Sequence, residues 1–217
     1  MKNNTILVDS ISNSLEEHYR STFSKYGACA QGVDWGSDKE WASVLRQDMM
    51  LDVVKEGDLT DDISILDVGC GYGALLDRIN EKSLNYSYVG IDLVEELINE
   101  AKHRHNGVEF ILENIMNLNH GKKYDYVVCN GIMTQKLKAS NIDMDKFSNL
   151  LIKKMWSLCN VGIAFNVMST HVNHQVENLY YRNSIELLGW CTSELTSKFK
   201  IDASYKLWYE YTVYLYR

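Results

Sequence analysis

The run Ile65-Leu66-Asp67-Val68-Gly69-Cys70-Gly71-Tyr72-Gly73 constrains this chain more than any other stretch. Four residues read as a buried strand with an acid near its end, and three glycines at alternate positions follow. A turn of that composition can adopt left-handed backbone angles and approach a ligand more closely than any residue with a Cβ allows. Ala74-Leu75-Leu76-Asp77-Arg78-Ile79 then begins a helix with apolar spacing. Strand, glycine turn and helix form the nucleotide-binding half of a doubly wound α/β sheet.

The rest of the chain extends that pattern. Short apolar runs at Ser64–Val68, Tyr86–Ile91, Val108–Leu112, Tyr124–Cys129 and Gly162–Val167 read as strands, with helices between them at Val94–Arg104 and Asp143–Leu158. Strands alternating with helices imply a parallel sheet covered on both faces. Lys198–Tyr205 and Trp208–Tyr216 are separated by so short a connection that they must pair antiparallel. The expected architecture is a doubly wound, seven-stranded, mostly parallel sheet. Residues 1–60 precede it as helices forming a lid, and residues 61–217 make the core of one compact domain. Within the lid, Leu15, Tyr19 and Tyr26 share a helical face that Gly27 ends, and Ser37 with Glu40 resembles a capping box. A following helix turns Ala42, Leu45, Met49, Met50 and Val53 inward. Tyr180 and Tyr181 read as the start of a later helix.

Length and composition narrow the partners. A chain of 217 residues suits one large domain. A net charge of −7 disfavours nucleic acid and anionic membranes, which need a concentrated basic face. The five cysteines are scattered and odd in number, which fits free thiols in a reducing cytoplasm better than a disulfide framework or a zinc site. No long apolar run suggests a signal peptide or a membrane span.

The residues downstream of the turn identify the nucleotide. Asp92 ends the second strand at the spacing where an acid accepts both ribose hydroxyls; Leu93 follows it. Asn114 and Ile115 close the third strand, where a polar side chain meets the adenine amine and the next N–H a ring nitrogen. Asn130 closes the fourth, beside the glycine turn. Gly69, Gly71 and Ala74 would also satisfy a nicotinamide dinucleotide motif. Asp67 argues against it, because a carboxylate two residues before the first glycine repels a pyrophosphate. It suits instead the sulfonium and ammonium of S-adenosylmethionine.

On Val68-Gly69-Cys70-Gly71-Tyr72-Gly73, Asp92 and Glu113-Asn114-Ile115, the chain resembles the class I S-adenosylmethionine-dependent methyltransferases over residues 65–167. Asn114 stands where many members carry aspartate. Gln31-Gly32-Val33-Asp34-Trp35-Gly36 and Tyr209-Glu210-Tyr211-Thr212-Val213-Tyr214-Leu215-Tyr216 resemble more narrowly a group of small stand-alone bacterial enzymes, some linked to surface glycans or small metabolites. The resemblance implies methyl transfer to an oxygen or nitrogen of a small molecule, with a sugar or glycan precursor among the acceptors. A non-catalytic cofactor-binding regulatory domain and a protein methyltransferase are the alternatives. The chain contains no proline, so Asn130-Gly131-Ile132-Met133 lacks the Asn/Asp-Pro-Pro-aromatic signature of enzymes that methylate base amines.

Five further side chains have candidate roles. Arg46 lies in the apolar stripe of its helix and needs an anion, for which the methionine carboxylate is a candidate. Trp35 and Tyr26 are candidates to cover the methionine arm. His171 and His174, in the loop after the fifth strand, are candidate general bases. They lack the companions of a metal site.

Overall fold

The computed structural model describes residues 2–35, 40–55, 63–119, 121–207 and 209–217. Ser37 of the expected capping box, the boundary at residues 60–61 and Trp208 lie outside the described residues. The chain begins with α1 (Lys2–Tyr26), a 3₁₀ turn (Ala30–Val33) and α2 (Glu40–Leu51). It continues as β1 (Ser64–Val68), α3 (Ala74–Glu81), β2 (Ser87–Asp92), α4 (Glu95–Arg104), β3 (Glu109–Leu112), β4 (Tyr124–Cys129) and α5 (Asn141–Leu158). Next come β5 (Cys159–Ser169), β6 (Tyr181–Arg182), α6 (Ser184–Glu194), β7 (Phe199–Asp202) and β8 (Glu210–Tyr216).

The sheet runs β3-β2-β1-β4-β5-β8-β7, with β6 paired to the end of β5. All pairings from β3 to β5 are parallel, and β8 runs antiparallel to both β5 and β7. Order reverses between β1 and β4, the place where open α/β sheets leave a crevice at the carboxyl ends of the strands. Strands here are apolar on both faces because both faces are covered. Leu66, Val127, Ile163 and Phe165 pack with α1, α5 and α6, while Ile65, Tyr126, Val128 and Ala164 pack with α2, α3 and α4.

Three details depart from the sequence expectation. α1 starts at Lys2, well before the expected face of Leu15, Tyr19 and Tyr26, because Val8 and Ile11 extend the buried stripe of Leu15 into the core. Tyr181 belongs to β6, and the helix starts at Ser184 behind Asn183, whose side chain accepts the N–H groups of Ile185 and Glu186. β7 and β8 are joined by a longer segment than expected, since β7 ends at Asp202. Gly27, at φ +70°, terminates α1 with its N–H on the Phe23 carbonyl.

Candidate active site

A cleft opens at the carboxyl ends of β1, β2, β3 and β4, beneath α1. Its floor is the glycine turn. Gly69, Gly71 and Gly73 take φ values of +74°, +57° and +90°, angles that disfavour any side chain. Space is equally restrictive at Gly73, where a Cβ would stand 2.8 Å from the His105 ring. The turn is tied to β2 by its own amides. Gly69 and Cys70 donate to the Ile91 carbonyl at 2.8 and 3.2 Å, and Gly73 donates to Cys70 at 3.0 Å. Asp92 accepts the Gly71 N–H at 2.9 Å on one oxygen and the Val94 N–H at 2.9 Å on the other. One carboxylate therefore joins the turn after β1 to the turn after β2. Burial, the largest effect, raises its pKa against the stabilising backbone N–H groups.

Asp67 lies beneath the same cleft and is 3 % exposed. The Tyr88 hydroxyl donates to it at 2.8 Å, which favours the ionised form. Desolvation outweighs that bond, and the carboxyl is pushed up to about 7. No cation among the described residues pairs with it. The Asn130 Oδ1 at the end of β4 is also buried without a hydrogen-bond partner. An acid on the verge of ionisation and an orphaned carbonyl oxygen both suit a cationic ligand.

Asn114 and Ile115 line the far end of the cleft, with Leu93 and Glu113. The Asn114 Oδ1 caps the 3₁₀ turn Ile115–Asn117 by accepting the Met116 N–H at 3.0 Å, and its Nδ2 donates to Ser12 Oγ of α1 at 3.2 Å. That amide is thus oriented by two partners and ties the wall to the roof. The roof consists of Ser12, Leu15, Glu16 and Tyr19 of α1. It is latched at a second point: His18 Nε2 lies 2.7 Å from Asp34 Oδ2, which also accepts Gln135 Nε2 at 2.7 Å. The Gln135 carbonyl oxygen in turn accepts Asn178 Nδ2 at 3.0 Å.

Asp67, Gly69, Cys70, Gly71, Asp92, Leu93, Asn114, Ile115, Asn130 and Trp35 all border the cleft, and Gly73 closes the turn as the N-cap of α3. Trp35 packs against Gly131, where φ is +100° and a Cβ would meet the indole at 2.9 Å. Four expected residues lie elsewhere. Arg46 donates to Glu210 Oε2 through Nε at 3.1 Å and Nη2 at 2.8 Å, and its guanidinium lies 3.9 Å from the centre of a Trp35 ring. Its anion is therefore a carboxylate of β8, and it stands behind the cleft wall. Tyr26, at the last turn of α1, is 44 % exposed and stacks with Lys25. Tyr19, two helical turns earlier on the same face, holds the position expected of it. His171 and His174 are exposed in the β5–β6 loop and do not reach the cleft. An imidazole in bulk water offers no directed base to a buried acceptor.

Sequence reasoning did not single out Gln47 as a site residue, although it lines the cleft. A polar residue on the buried arc of α2, between Arg46 and the buried Met49 and Met50, was the available signal. Asp34 and Gln135 left no such mark, because their bond spans 101 residues. Among the described residues there is no group of three His, Cys, Asp or Glu that could hold a metal ion, and no helix is long and apolar enough to cross a membrane.

Residues 59–205 match the sequence model of the Methyltransferase domain family. A provisionally named methyltransferase of Mycobacterium tuberculosis (strain H37Rv) is 27 % identical over 158 residues, covering 70 % of this chain and 92 % of the relative. Among solved structures, the magnesium protoporphyrin IX methyltransferase of Synechocystis PCC 6803 with bound S-adenosylmethionine superposes with a TM-score of 0.62. Its identity is 17 %, over 94 % of this chain and 97 % of that one. The plantazolicin methyltransferase BpumL, in complex with a pentazolic desmethyl-plantazolicin analogue and S-adenosylhomocysteine, superposes with a TM-score of 0.57 at 17 % identity. That match covers 94 % of this chain and 97 % of BpumL. These likenesses show the fold.

Two measurements follow from the site's charges. Glu210 is 2 % exposed in its side chain, so Arg46→Met leaves a buried carboxylate unpaired at a cost of about 3–5 kcal/mol. Urea denaturation should show that loss, and the Arg46→Met/Glu210→Leu double variant should recover most of it. Unchanged stability in Arg46→Met would return the residue to ligand binding. For Asp67, the folded carboxyl titrates near 7 while the unfolded one titrates near 3.8. Between these values the folded state holds the extra proton. The ligand-free protein should lose stability as pH rises from 4 through 7, with a limiting slope of about 1.4 kcal/mol per pH unit. Asp67→Asn should abolish that component. An identical pH profile in the variant would show that Asp67 is ionised throughout.

Proposed function

This chain belongs to the methyltransferase domain family, and from that premise we propose that it binds S-adenosylmethionine in the cleft and methylates an oxygen or nitrogen of a small molecule. The observation that carries the cofactor assignment is the buried Asp67 carboxyl, unpaired by any cation among the described residues and facing the cleft beside the orphaned Asn130 Oδ1. A ligand with a positive charge relieves both; a pyrophosphate aggravates both.

The remaining lining fits the same molecule. Asp92 has lone pairs left after accepting two N–H groups and is placed to take ribose hydroxyls. Leu93, Ile115, Phe147 and Leu151 supply apolar surface for a flat base beside Asn114. When bound, the cofactor supplies an activated methyl group on a sulfonium. The protein's part is then to fix the acceptor in line, exclude water and let the acceptor's proton leave. Placing the reacting atoms about 3–3.5 Å apart supplies much of the acceleration, so a cleft whose lining among the described residues holds no histidine is compatible with turnover. α1, pinned through Asn114–Ser12 and His18–Asp34–Gln135, acts as the lid that keeps water out.

A small acceptor is supported by the net charge of −7, which disfavours a nucleic-acid partner. The two solved methyltransferases above, named for magnesium protoporphyrin IX and plantazolicin, point to acceptors of that class.

Calorimetric titration with S-adenosylhomocysteine tests the cofactor reading. The wild type should bind, and Asp92→Asn should weaken binding about 100-fold, the expected loss from two hydroxyl bonds to a charged group. Transfer of labelled methyl from S-adenosylmethionine to low-molecular-weight material of a cell extract tests catalysis. Binding of NADH in place of S-adenosylhomocysteine would overturn the assignment, and binding without transfer to any acceptor would favour a regulatory role.

A further inference from the structure

We propose that the methyl acceptor is a planar aromatic molecule carrying no negative charge, and that Trp35 is the platform on which it stacks. The inference rests on the S-adenosylmethionine reading and deepens it, because that cofactor accounts for only part of the cleft. On that reading the adenine lies at Leu93, Asn114 and Ile115, the ribose at Asp92 and the ammonium toward Asp67. What is left is the part between α1 and the end of β4, bordered by Tyr19, Val33, Trp35, Gly131 and Ile132. An acceptor aligned with the sulfonium meets these residues.

Two of the five are aromatic, two are branched aliphatics and one is glycine. Trp35 is held in place for such a role. The Arg46 guanidinium lies over one face of the indole, 3.9 Å from a ring centre, and Gly131 abuts its edge, so a ligand in the cleft meets the opposite face. Glu210 keeps the guanidinium in position, and the backbone N–H of Trp35 donates to the Ala30 carbonyl at 2.9 Å. A ring already fixed loses little freedom when it binds a ligand, and offset stacking on an indole favours a flat partner.

The cleft also selects against an anion. Its lining holds four acids, Glu16, Asp67, Asp92 and Glu113, and among the described residues no lysine, arginine or histidine. Cations that border the lining are committed to acids. Arg46 is on Glu210 at 2.8 Å, Arg20 is on Glu16 at 2.5 Å and Glu96 at 3.2 Å, and Arg104, over the Tyr72 ring, is on Asp77 at 2.7 Å. The imidazole of His18, edge-on to Tyr19, is on Asp34 at 2.7 Å. Tyr19 itself stays a neutral hydroxyl: burial first, and then the carboxylates of Asp34 and Asp92, hold it well above the ordinary phenol range. An incoming carboxylate or phosphate would meet acids without a cation in the lining, which disfavours a nucleotide-linked sugar with its diphosphate. An amine or a neutral heterocycle meets no such penalty.

The test is calorimetric binding to protein saturated with S-adenosylhomocysteine, using two probes of one ring system and opposite charge, tryptamine and indole-3-propionate, together with UDP-glucose. Tryptamine should bind about tenfold more tightly than indole-3-propionate, and UDP-glucose should not bind. Trp35→Leu should raise the Kd for tryptamine about tenfold and that for S-adenosylhomocysteine by less, the retained cofactor binding reporting a folded variant; Trp35→Phe should recover part of the tryptamine affinity. Equal or tighter binding of either anionic probe, no binding of tryptamine to the loaded wild type, or a Trp35→Leu variant that weakens both ligands alike or neither would overturn the acceptor assignment and leave the cofactor reading standing. Wild-type protein that does not bind S-adenosylhomocysteine would overturn the cofactor reading itself, and this inference with it.

Discussion

The constraint on which the cleft depends is a carboxyl group held out of water beneath it. Asp67 is the penultimate residue of β1, with Tyr88 as its hydrogen-bond donor, and desolvation keeps it near the threshold of ionisation. That arrangement costs the free protein stability at neutral pH and rewards a ligand that brings a positive charge. The neighbouring polar groups are arranged around it. Asp92 fixes the glycine turn from the adjacent strand, and Asn130 leaves an oxygen unsatisfied at the end of β4.

The sheet makes that placement inevitable once the order β3-β2-β1-β4-β5 is set. Register puts Asp67 opposite Gly90 on one side and Val128 on the other, so the acid is flanked by backbone and apolar side chains. A larger residue at Gly90 would collide with Phe110 and Cys70 at under 3 Å. The antiparallel β8 then brings Glu210 to the same end of the sheet, where it anchors Arg46 and, through the stacked Trp35, the wall of the cleft. Two layers therefore build the cleft: polar groups that line it, and an ion pair behind them that holds an indole in place.

Much of this was legible in the sequence because it is local. β1 and β4 fall on the residues expected, Ser64–Val68 and Tyr124–Cys129, since uninterrupted apolar runs bounded by turn residues have few alternative readings. The glycine turn, Asp92 and Asn114 were legible for the same reason: each occupies a fixed offset from a strand end. What failed to show is tertiary. Arg46 needed an anion, and its helix said so, but the partner lies 164 residues away. His171 and His174 sit after the correct strand, yet the loop carries them into solvent. Tyr181 looked helical from its neighbours and became a strand by pairing with Met168. Tyr26 and Tyr19 share a helical face, and only the length of α1 over the cleft decides between them.

The most direct test of the account is the titration of the Asp67 carboxyl carbon by ¹³C NMR, in the free protein and in protein saturated with S-adenosylmethionine. The account predicts a midpoint near 7 in the free protein and a fall of roughly two pH units or more on binding, as the cationic arm stabilises the carboxylate. A midpoint that stays near 7, or rises, in the saturated protein would show that the ligand's positive charge does not meet Asp67, and would contradict the account at its centre.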